Sequence, residues 1–335
     1  MYTVGMVILV TGADGFLGGH ITSILLDEGH TVRALYHPES SRTKLPPHKN
    51  LKIVEGNILA PESLLKIFKG SVDAVIHTAA STRMYPRRHK SIWDINFKGT
   101  KNLAECAAEY NVNRFVSIGT ANSFGAGNLE NPGTEKNPYT DGKLGADYMN
   151  SKRAIQDWLL EFSEKKGFPV IIINPSFMIG PGDSKPGSGT MMLRLQGRRR
   201  LPISKGGKNF VAVKDVARAA VNALTMGRIG ECYICGNENL PYSRAFPLFA
   251  EVMGMNTPSL KVLSPFILAY GAGLSLISLF TKKEPFISLM MARASIHDYF
   301  YSPEKARKEL DLPQTPVKTA AAEAFNWFQE NGYCD

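Results

Sequence analysis

A tyrosine and a lysine four residues apart form the pair in this sequence whose spacing best suits chemistry. Tyr148 and Lys152 fall at the start of a helical pattern, and residues four apart lie on one face of a helix. A phenol has a pKa of about 10, but a neighbouring ammonium group favours the phenolate and lowers that pKa. The pair predicts that Tyr148 donates or accepts a proton near neutral pH. A buried helical tyrosine without such a role is the alternative interpretation of Tyr148 taken alone.

A second pair, Tyr139 and Lys143, has the same spacing. It follows an Asn-Pro dipeptide and encloses an Asp-Gly dipeptide, and both are typical of turns. A turn would not hold the two side chains on one face, so we expect no acid–base role for this pair.

An apolar strand near the N-terminus runs directly into a glycine-rich turn. Residues 7–10 are apolar, glycine follows at Gly12, Gly15 and Gly18, and a helical pattern comes next. The N-terminus of a helix attracts phosphate through its free N–H groups and its dipole. Gly12 permits the turn, Gly15 permits close approach of a pyrophosphate, and Gly18 permits close packing of helix and strand. The sequence therefore predicts a dinucleotide site, with a plain strand-to-helix turn as the alternative.

The end of the second predicted strand bears on which dinucleotide binds. In such folds an acidic residue at this point bonds the ribose hydroxyls of NAD. Here Tyr36 and His37 occupy the position, without a carboxylate, and Arg33, Arg42 and Lys44 are near in sequence. Because cations can pair with a 2′-phosphate, the sequence favours NADP(H) over NAD(H). A solvated cationic loop is the alternative.

Strands and helices alternate through the first half of the chain. After the first strand, the expected strands cover residues 29–37, 51–58, 74–80, 114–120 and 170–174, and a helix covers 61–68. This alternation predicts an α/β fold, a Rossmann-type doubly wound parallel sheet with a smaller, mostly helical C-terminal substrate-binding domain. We expect residues 1–175 and about 208–236 to bind the dinucleotide, and about 176–207 and 237–335 to bind the substrate.

Composition and charge exclude several classes of protein. The 335 residues are 44% hydrophobic and 21% charged, with a net charge of +9, which suits a globular protein and an anionic ligand. The basic clusters at residues 87–90 and 198–200 are short and lack interleaved aromatic residues, so we expect no nucleic-acid binding.

Cys232 and Cys235 would face opposite sides of a strand, and a second pair of cysteines that could complete a zinc site is missing. We expect reduced thiols, no metal and a cytoplasmic protein without a signal peptide.

Residues 262–281 carry no charged side chain. A membrane span needs about 20 apolar residues, but Pro265, Gly271 and Gly273 interrupt this segment. We expect a buried helical pair or the lining of an apolar pocket rather than a transmembrane span. Peripheral contact with a membrane is the alternative that stays open.

Several motifs together resemble those of the extended short-chain dehydrogenase/reductase family. They are Thr11-Gly12-x-x-Gly15-x-x-Gly18, His77-x-Ala79-Ala80, Asn96 ahead of Gly99-Thr100, Tyr148-x-x-x-Lys152, and residues 174–183, 209–217 and 302–306. The resemblance covers nearly the whole chain. Residues 195–197, 201–202 and 230–233 resemble the dihydroflavonol reductase and 3β-hydroxysteroid dehydrogenase-like branch.

The resemblance implies further site residues and a homodimer formed through the helix that carries Tyr148. A third catalytic residue is expected after the fifth strand, and alignment on Phe124-Gly125 places it at Thr120, with Ser117 and Ser123 as alternatives. Asn57 stands where the family often has Asp against adenine. The residues predicted to hold the cofactor are, in chain order, Gly12, Gly15, Phe16, Leu17, Gly18, Arg33, His37, Asn57, Ile58, Thr78, Ala79, Ala80, Asn96, Tyr148, Lys152, Pro175 and Ser176.

The resulting hypothesis is interconversion of a ketone and a secondary alcohol. The nicotinamide would exchange hydride with the substrate, Tyr148 would transfer the proton, and Thr120 would hold the reacting oxygen. A lipophilic small molecule, such as a steroid, a flavonoid or a ketoacyl compound, would meet Met84, Tyr85, Phe124, Phe177, Met178 and residues 263–280. One alternative is a nucleotide-sugar epimerase or dehydratase, whose pyrophosphate Arg194 and residues 198–200 could bind. Another is a cofactor-sensing protein without turnover.

Overall fold

The structure is a computed structural model that describes residues 5–37, 45–85, 87–196, 202–256, 260–281 and 283–334. The strands are β1 (Val7–Thr11), β2 (Thr31–Tyr36), β3 (Leu51–Glu55), β4 (Ala74–His77), β5 (Arg114–Ile118), β6 (Val170–Pro175), β7 (Phe177–Ile179), β8 (Pro202–Ile203), β9 (Gly207–Ala212), β10 (Glu231–Cys235), β11 (Glu238–Pro241), β12 (Leu260–Lys261) and β13 (Asp298–Tyr299). The helices are α1 (Phe16–Asp27), α2 (Pro61–Phe68), α3 (Lys90–Trp93), α4 (Thr100–Glu109), α5 (Asp147–Lys166), α6 (Thr190–Leu193), α7 (Val213–Asn222), α8 (Tyr242–Val252), α9 (Ser264–Thr281), α10 (Leu289–Ser295), α11 (Glu304–Leu310) and α12 (Val317–Glu330).

Within the described ranges, seven parallel strands form the central sheet in the order β10-β6-β5-β4-β1-β2-β3. The chain winds from β1 outward to β3, then returns to β4 on the other side of β1 and winds outward to β10. Such a reversal of strand order opens a crevice at the carboxyl ends of the strands, where these folds bind ligands. The expected Rossmann-type sheet is confirmed.

A core packs against each face of this sheet. Alternate residues of a strand face opposite sides, so Ile8 and Val10 join a core with α1 and α7, whereas Leu9 joins one with α2 and α4. The same alternation separates Cys235, which lies in the first core, from Cys232, which lies in the second. Both are free thiols, so the prediction that they face apart is confirmed.

A smaller sheet lies after the sixth strand of the chain. In it β9 pairs with β7, β11 and β13, and α8 and α12 supply most of the apolar core beside it. After β9 the chain returns to the large sheet, because α7 packs on α1 and β10 pairs with β6. The division into two domains stays a prediction.

Candidate active site

The glycine turn between β1 and α1 has the shape of a phosphate cradle. Gly12 has φ +66°, and a Cβ there would lie 2.7 Å from Thr78 Oγ1. A Cβ at Gly18 would overlap the carbonyl oxygen of Gly12. Gly15 is exposed at the N-terminal end of α1, where the first helical N–H groups have no partner within the helix. The turn therefore fits the pyrophosphate of a dinucleotide.

A buried chain of hydrogen bonds runs beneath this turn. Thr11 Oγ1 lies 2.6 Å from His77 Nδ1, and His77 Nε2 lies 2.8 Å from Thr100 Oγ1. Thr100 donates its own proton to the Asn96 carbonyl at 2.8 Å, so His77 must donate from Nε2 and accept at Nδ1 from Thr11. Burial, followed by the charge of Lys152, lowers the pKa of His77 to about 3. His77 is therefore a neutral structural link.

Asn96 lies in a π-helical turn, Asp94–Gly99, between α3 and α4. The side chain is fully buried. Its Oδ1 accepts from the Ser81 N–H at 2.7 Å, and its Nδ2 donates to the Ser81 carbonyl at 3.0 Å and to Ser151 Oγ at 3.1 Å. Because these bonds use the amide, the predicted cofactor contact of Asn96 is corrected. Asn96 is a positioning residue that joins the loop after β4 to α5, and π-turns often occur at such functional places.

Tyr148, Lys152 and Thr120 converge at the carboxyl end of β5. Tyr148 and Lys152 lie one turn apart on α5, and Lys152 Nζ donates to the Ile118 carbonyl, at the end of β5, at 2.7 Å. Two residues further on, Thr120 hydrogen-bonds the Tyr148 hydroxyl. Ser117 lies within β5 and Ser123 is fully buried, so the geometry favours Thr120 over both alternatives.

The pKa of Tyr148 differs from the one that the sequence predicted, and the pKa of Lys152 is also shifted. Burial raises the pKa of Tyr148, and the hydrogen bond with Thr120 opposes that rise. Burial also lowers the pKa of the Lys152 ammonium to about 8. Lys152 is directed at the Ile118 carbonyl, so the predicted lowering of the Tyr148 pKa by Lys152 is not found in the protein chain by itself. A phenol with a raised pKa is protonated at neutral pH, as a proton donor must be, but it is a weaker acid than a free phenol.

Asn174 holds the backbone that carries Thr120. It lies on the buried strand β6, and its Nδ2 donates to the Thr120 carbonyl at 3.1 Å and to Gln156 Oε1 at 2.8 Å. A Cβ at Gly119 would overlap Asn174 Nδ2. Sequence reasoning missed Asn174 as a positioning residue, although an amide at the end of an otherwise apolar strand was a usable signal.

A small cavity of about 50 Å³ opens beside Thr120. It is lined by Thr120, Asn122, Pro175, Ser176, Phe177, Lys208, Asn209, Tyr299 and Tyr301. Lys208 Nζ lies 5.2 Å from the centre of the Phe177 ring and 5.0 Å from that of Tyr299. Burial lowers the pKa of Lys208 to about 8, against the opposing charge of Asp141. Sequence reasoning missed Lys208, Tyr299 and Tyr301. Pairing of β9 with β13 brings Lys208 and Tyr299 together, and Tyr301 follows two residues after Tyr299.

The predicted substrate residues divide into two groups. Phe177 lines the cavity, Met84 packs in the apolar cluster that contains Tyr148, and Tyr85 is half-buried. Phe124 and Met178 instead pack into the cores on opposite faces of the large sheet, so their predicted substrate contacts are corrected. Met178 follows Phe177 along β7 and therefore points to the other side.

Residues 263–280 also differ from the expectation. They do not form a buried helical pair, because α9 is one continuous helix. Most of it is exposed rather than lining a pocket, since 17% of its residues are buried. Pro265 lies in the first turn of the helix, where proline is tolerated, and the glycines do not end the helix.

The adenosine end of the predicted site needs two corrections. Arg33 donates from Nη1 to the Ile67 carbonyl at 2.9 Å, near the C-terminal end of α2 and away from the carboxyl edge of the sheet. It is therefore not placed to meet a 2′-phosphate. Tyr36 is 1% exposed, and burial, followed by the charge of Asp14, raises the pKa of Tyr36 to about 12. A carboxylate thus approaches this end of the site, contrary to the expectation.

Other residues named for this end lie as follows. His37 is exposed directly after β2, and its predicted contact with the ribose stays a prediction. Asn57 follows β3, and its Oδ1 accepts from the Leu59 N–H at 2.8 Å. Arg42, Lys44 and residues 198–200 lie outside the described residues.

The remaining predicted cofactor residues lie along the carboxyl edge of the sheet or at the start of α1. Thr78 donates to the Thr11 carbonyl at 2.7 Å, and Ser176 donates to Asn209 Oδ1 at 2.7 Å. Leu17 and Pro175 are buried, whereas Phe16, Ile58, Ala79 and Ala80 are half-buried.

The rejected pair, Tyr139 and Lys143, is separated in the structure. Tyr139 donates to Asn150 Oδ1 at 2.8 Å, and Lys143 is exposed in a 3₁₀ turn, Asp141–Leu144. The prediction that a turn would part these side chains is confirmed.

A larger cavity, of about 610 Å³, lies elsewhere. It extends from Asp14, Gly15 and Phe16 along the outer face of α1 to Trp327 and Tyr333. Gly15 and Phe16 of the glycine turn line it, but Tyr148, Lys152 and Thr120 do not, so we place the chemistry at the smaller cavity, which Thr120 lines.

Comparison with known proteins agrees with this architecture. The model of the NAD dependent epimerase/dehydratase family matches residues 8–236. The chain is 29% identical over 333 residues to a putative dihydroflavonol 4-reductase of Synechocystis sp., covering 97% of this chain and 95% of that protein. It is 28% identical over 334 residues to sterol demethylase protein B of Methylococcus capsulatus, covering 98% and 99%. The crystal structure of gox2253 superposes with a TM-score of 0.85 at 29% identity, covering 98% of this chain and 99% of that one. The chain therefore belongs to the NAD dependent epimerase/dehydratase family, within the extended short-chain dehydrogenases/reductases.

Proposed function

We propose that this NAD(P)-dependent enzyme interconverts a ketone and a secondary alcohol on a lipophilic small molecule, with NADP(H) as its preferred cofactor. The observation that carries the proposal is the meeting of Tyr148, Lys152 and Thr120 at the carboxyl end of β5. This point lies two strands from the glycine turn that follows β1, on the same edge of the sheet.

Each of the three side chains has a distinct task. When bound, a nicotinamide cofactor supplies or accepts the hydride at the substrate carbon. In ketone reduction, the Tyr148 hydroxyl donates its proton to the carbonyl oxygen, and in the reverse direction the phenolate accepts it. Thr120, which contacts Tyr148, hydrogen-bonds the same oxygen and holds it in line. Lys152, one turn along α5, favours the phenolate that forms once its ammonium turns from the Ile118 carbonyl toward Tyr148.

The residues of the glycine turn would hold the pyrophosphate at the N-terminus of α1. The preference for NADP(H) rests on His37, which stands where an acidic residue would otherwise bond the ribose hydroxyls. Asp14 near Tyr36 acts against this preference.

The test of the cofactor preference compares the dissociation constants of NADPH and NADH for the wild type and for His37→Asp. Tighter binding of NADPH by the wild type, reduced in His37→Asp, supports the preference, and equal affinities in the wild type contradict it.

Two observations support a lipophilic substrate. The cavity beside Thr120 presents the rings of Phe177, Tyr299 and Tyr301, and Met84 and Met290 pack in the cluster around Tyr148. Among the relatives, one is named for dihydroflavonol reduction and one for sterol demethylation.

The deciding experiment measures turnover of a panel of steroid, flavonoid and 3-oxoacyl ketones beside UDP- and dTDP-sugars. We expect reduction of at least one ketone, and a loss of about 10³-fold in Tyr148→Phe, as for removal of a general acid. Tyr110→Phe is the matched control, since Tyr110 follows α4 and stacks on Phe68 away from the cluster, and it should retain the wild-type rate. Turnover of sugars without ketones would favour the epimerase or dehydratase alternative. An unchanged rate in Tyr148→Phe would remove the catalytic assignment.

A further inference from the structure

The helix α9 is apolar over its whole length and is mostly exposed. Its 18 residues have a mean hydropathy of 1.5, and 17% of them are buried within the protein. Core helices of globular proteins are buried when they are apolar on all sides. The composition of α9 therefore does not match the environment that the protein itself gives it.

Exposed large apolar side chains concentrate on this helix. Of the eleven that are exposed within the described residues, seven fall in residues 263–280, with exposures from 55% to 81%. They are Leu263, Phe266, Tyr270, Leu276, Ile277, Leu279 and Phe280. A contiguous exposed patch of this kind marks an interaction surface rather than ordinary scatter.

The side of α9 held by the protein is narrow. Ile267, Gly271 and Ser278 are its buried residues. A Cβ at Gly271 would lie 2.7 Å from Ala292 Cβ on α10. The Leu289 N–H donates to Ser275 Oγ at 2.7 Å. At 3.6 residues per turn, the seven exposed side chains span about 200° of the circumference, opposite this contact.

We propose that α9 lies in the surface of a lipid bilayer with anionic headgroups and docks the enzyme there. Between residues 260 and 297 the sequence has four cations, Lys261, Lys282, Lys283 and Arg293, against Glu284 as its one carboxylate. The net charge of the whole chain is +9. Cations flanking an apolar helix attract anionic headgroups while the apolar side chains enter the acyl boundary.

The packing of α9 on α10 determines how deep the helix lies. A crossing helix must be surrounded by lipid or by other spanning segments, but one side of α9 is fixed along Gly271 and Ser275 to the body of the protein. The helix therefore lies parallel to the membrane within one leaflet. A second copy of the chain would cover a single stripe, whereas a bilayer covers the whole exposed arc.

The position of α9 relates it to the candidate active site. Met290 and Met291 of α10 pack with Met84, Met149 and Tyr148, so α10 separates the docking helix from the catalytic tyrosine. A lipophilic substrate could pass from the bilayer to the site without crossing bulk water. This last step rests on the proposed function, whereas docking itself does not.

The experiment is flotation of the full chain, without detergent, on vesicles of phosphatidylcholine with one third phosphatidylglycerol and on vesicles of phosphatidylcholine alone. The test variant carries Phe266→Gln, Leu279→Gln and Phe280→Gln, since glutamine is polar and favours helix. The matched control carries Ile53→Gln, Leu129→Gln and Ile229→Gln, three exposed apolar residues away from α9. Unfolding temperature and NADPH affinity are measured for each variant to establish that it is folded.

We expect the wild type and the control to float with the anionic vesicles, and the bound fraction of the test variant to fall at least tenfold. Flotation of the test variant equal to that of the wild type would overturn the proposal. A second result would also overturn the proposal: the wild type binds neither kind of vesicle and is a dimer by light scattering, whereas the test variant is a monomer. In that case α9 would face a second copy of the chain. Equal flotation of the wild type on both vesicles would contradict the anionic headgroups. These readouts need no turnover, so they fail independently of the proposed reaction.

Discussion

Asn96 on the π-helical turn donates a hydrogen bond to Ser151 on α5, with 3.1 Å between Nδ2 and Oγ. Ser151 in turn donates to the Tyr148 carbonyl at 2.9 Å. The loop after β4 and the helix of the catalytic tyrosine are thus joined through one buried amide. We expect the position of Tyr148 to depend on this link although Asn96 does not belong to the reacting cluster.

Replacing Asn96 by Ala should therefore lower both stability and turnover. The substitution leaves the Ser81 N–H without its side-chain partner, and an unsatisfied buried group costs about 1–3 kcal/mol. We expect the free energy of unfolding in urea to fall by about 2 kcal/mol, and kcat to fall more than the affinity for NADPH. Ser151→Ala removes the bond from Asn96 and the bond to the Tyr148 carbonyl but keeps both bonds between Asn96 and Ser81, and it should lose less stability. An Asn96→Ala enzyme with normal kcat would show that the link does not position Tyr148.

The neutral His77 predicts a pH dependence of stability. Its pKa is about 3 when folded, against a usual value of 6.5, so below pH 6.5 the unfolded chain binds a proton that the folded chain does not. Stability then falls as the pH falls, and between pH 6.5 and 5 this linkage removes about 2 kcal/mol. The measurement is urea unfolding of the wild type and of His77→Gln at both pH values. The variant should lack this part of the slope, and an identical slope would contradict a neutral His77.

Thr120 should act through its hydroxyl rather than its shape. Thr120→Val keeps the volume but loses the hydrogen bond that opposes the rise of the Tyr148 pKa. We expect kcat for ketone reduction to fall about 10²-fold, and Thr120→Ser to restore most of it. Because reduction needs the protonated phenol, the loss of rate at high pH should move to higher pH in Thr120→Val. A profile that does not move would separate Thr120 from the acidity of Tyr148.

We expect the ammonium group of Lys208 to bind an oxygen of the substrate, and its burial to lower the stability of the folded protein. Burial lowers the pKa of Lys208 to about 8, against a usual 10.5, which means that keeping it charged below pH 8 costs the folded state free energy. Lys208→Met keeps the apolar stem and should raise the unfolding temperature at neutral pH, while the KM for the ketone rises. The wild-type KM should also rise as the pH passes 8, because the ammonium is then lost. A KM independent of both changes would place Lys208 outside the substrate site.

Local patterns in the sequence were enough to determine much of the fold. The apolar run of β1 and the glycines after it specify a strand, a tight turn and a helix. The structure confirms this through the positive φ of Gly12 and the close approach at Gly18. The shared face of Tyr148 and Lys152 follows from the period of a helix alone, as does the opposite orientation of Cys232 and Cys235 from the period of a strand. Each of these inferences needed residues only a few positions apart.

Only the tertiary structure decided which distant residues meet. Arg33 and Phe124 had suitable chemistry, but packing directs Arg33 to the end of α2 and buries Phe124 in the core. Lys208 and Tyr299 reach the site because β9 and β13 pair, although they are 91 positions apart. The exposure of α9 likewise could not be read from its composition, because an apolar helix has the same sequence whether protein or lipid covers it. Local periodicity sets which way a side chain points from its own element, and long-range packing decides what it then meets.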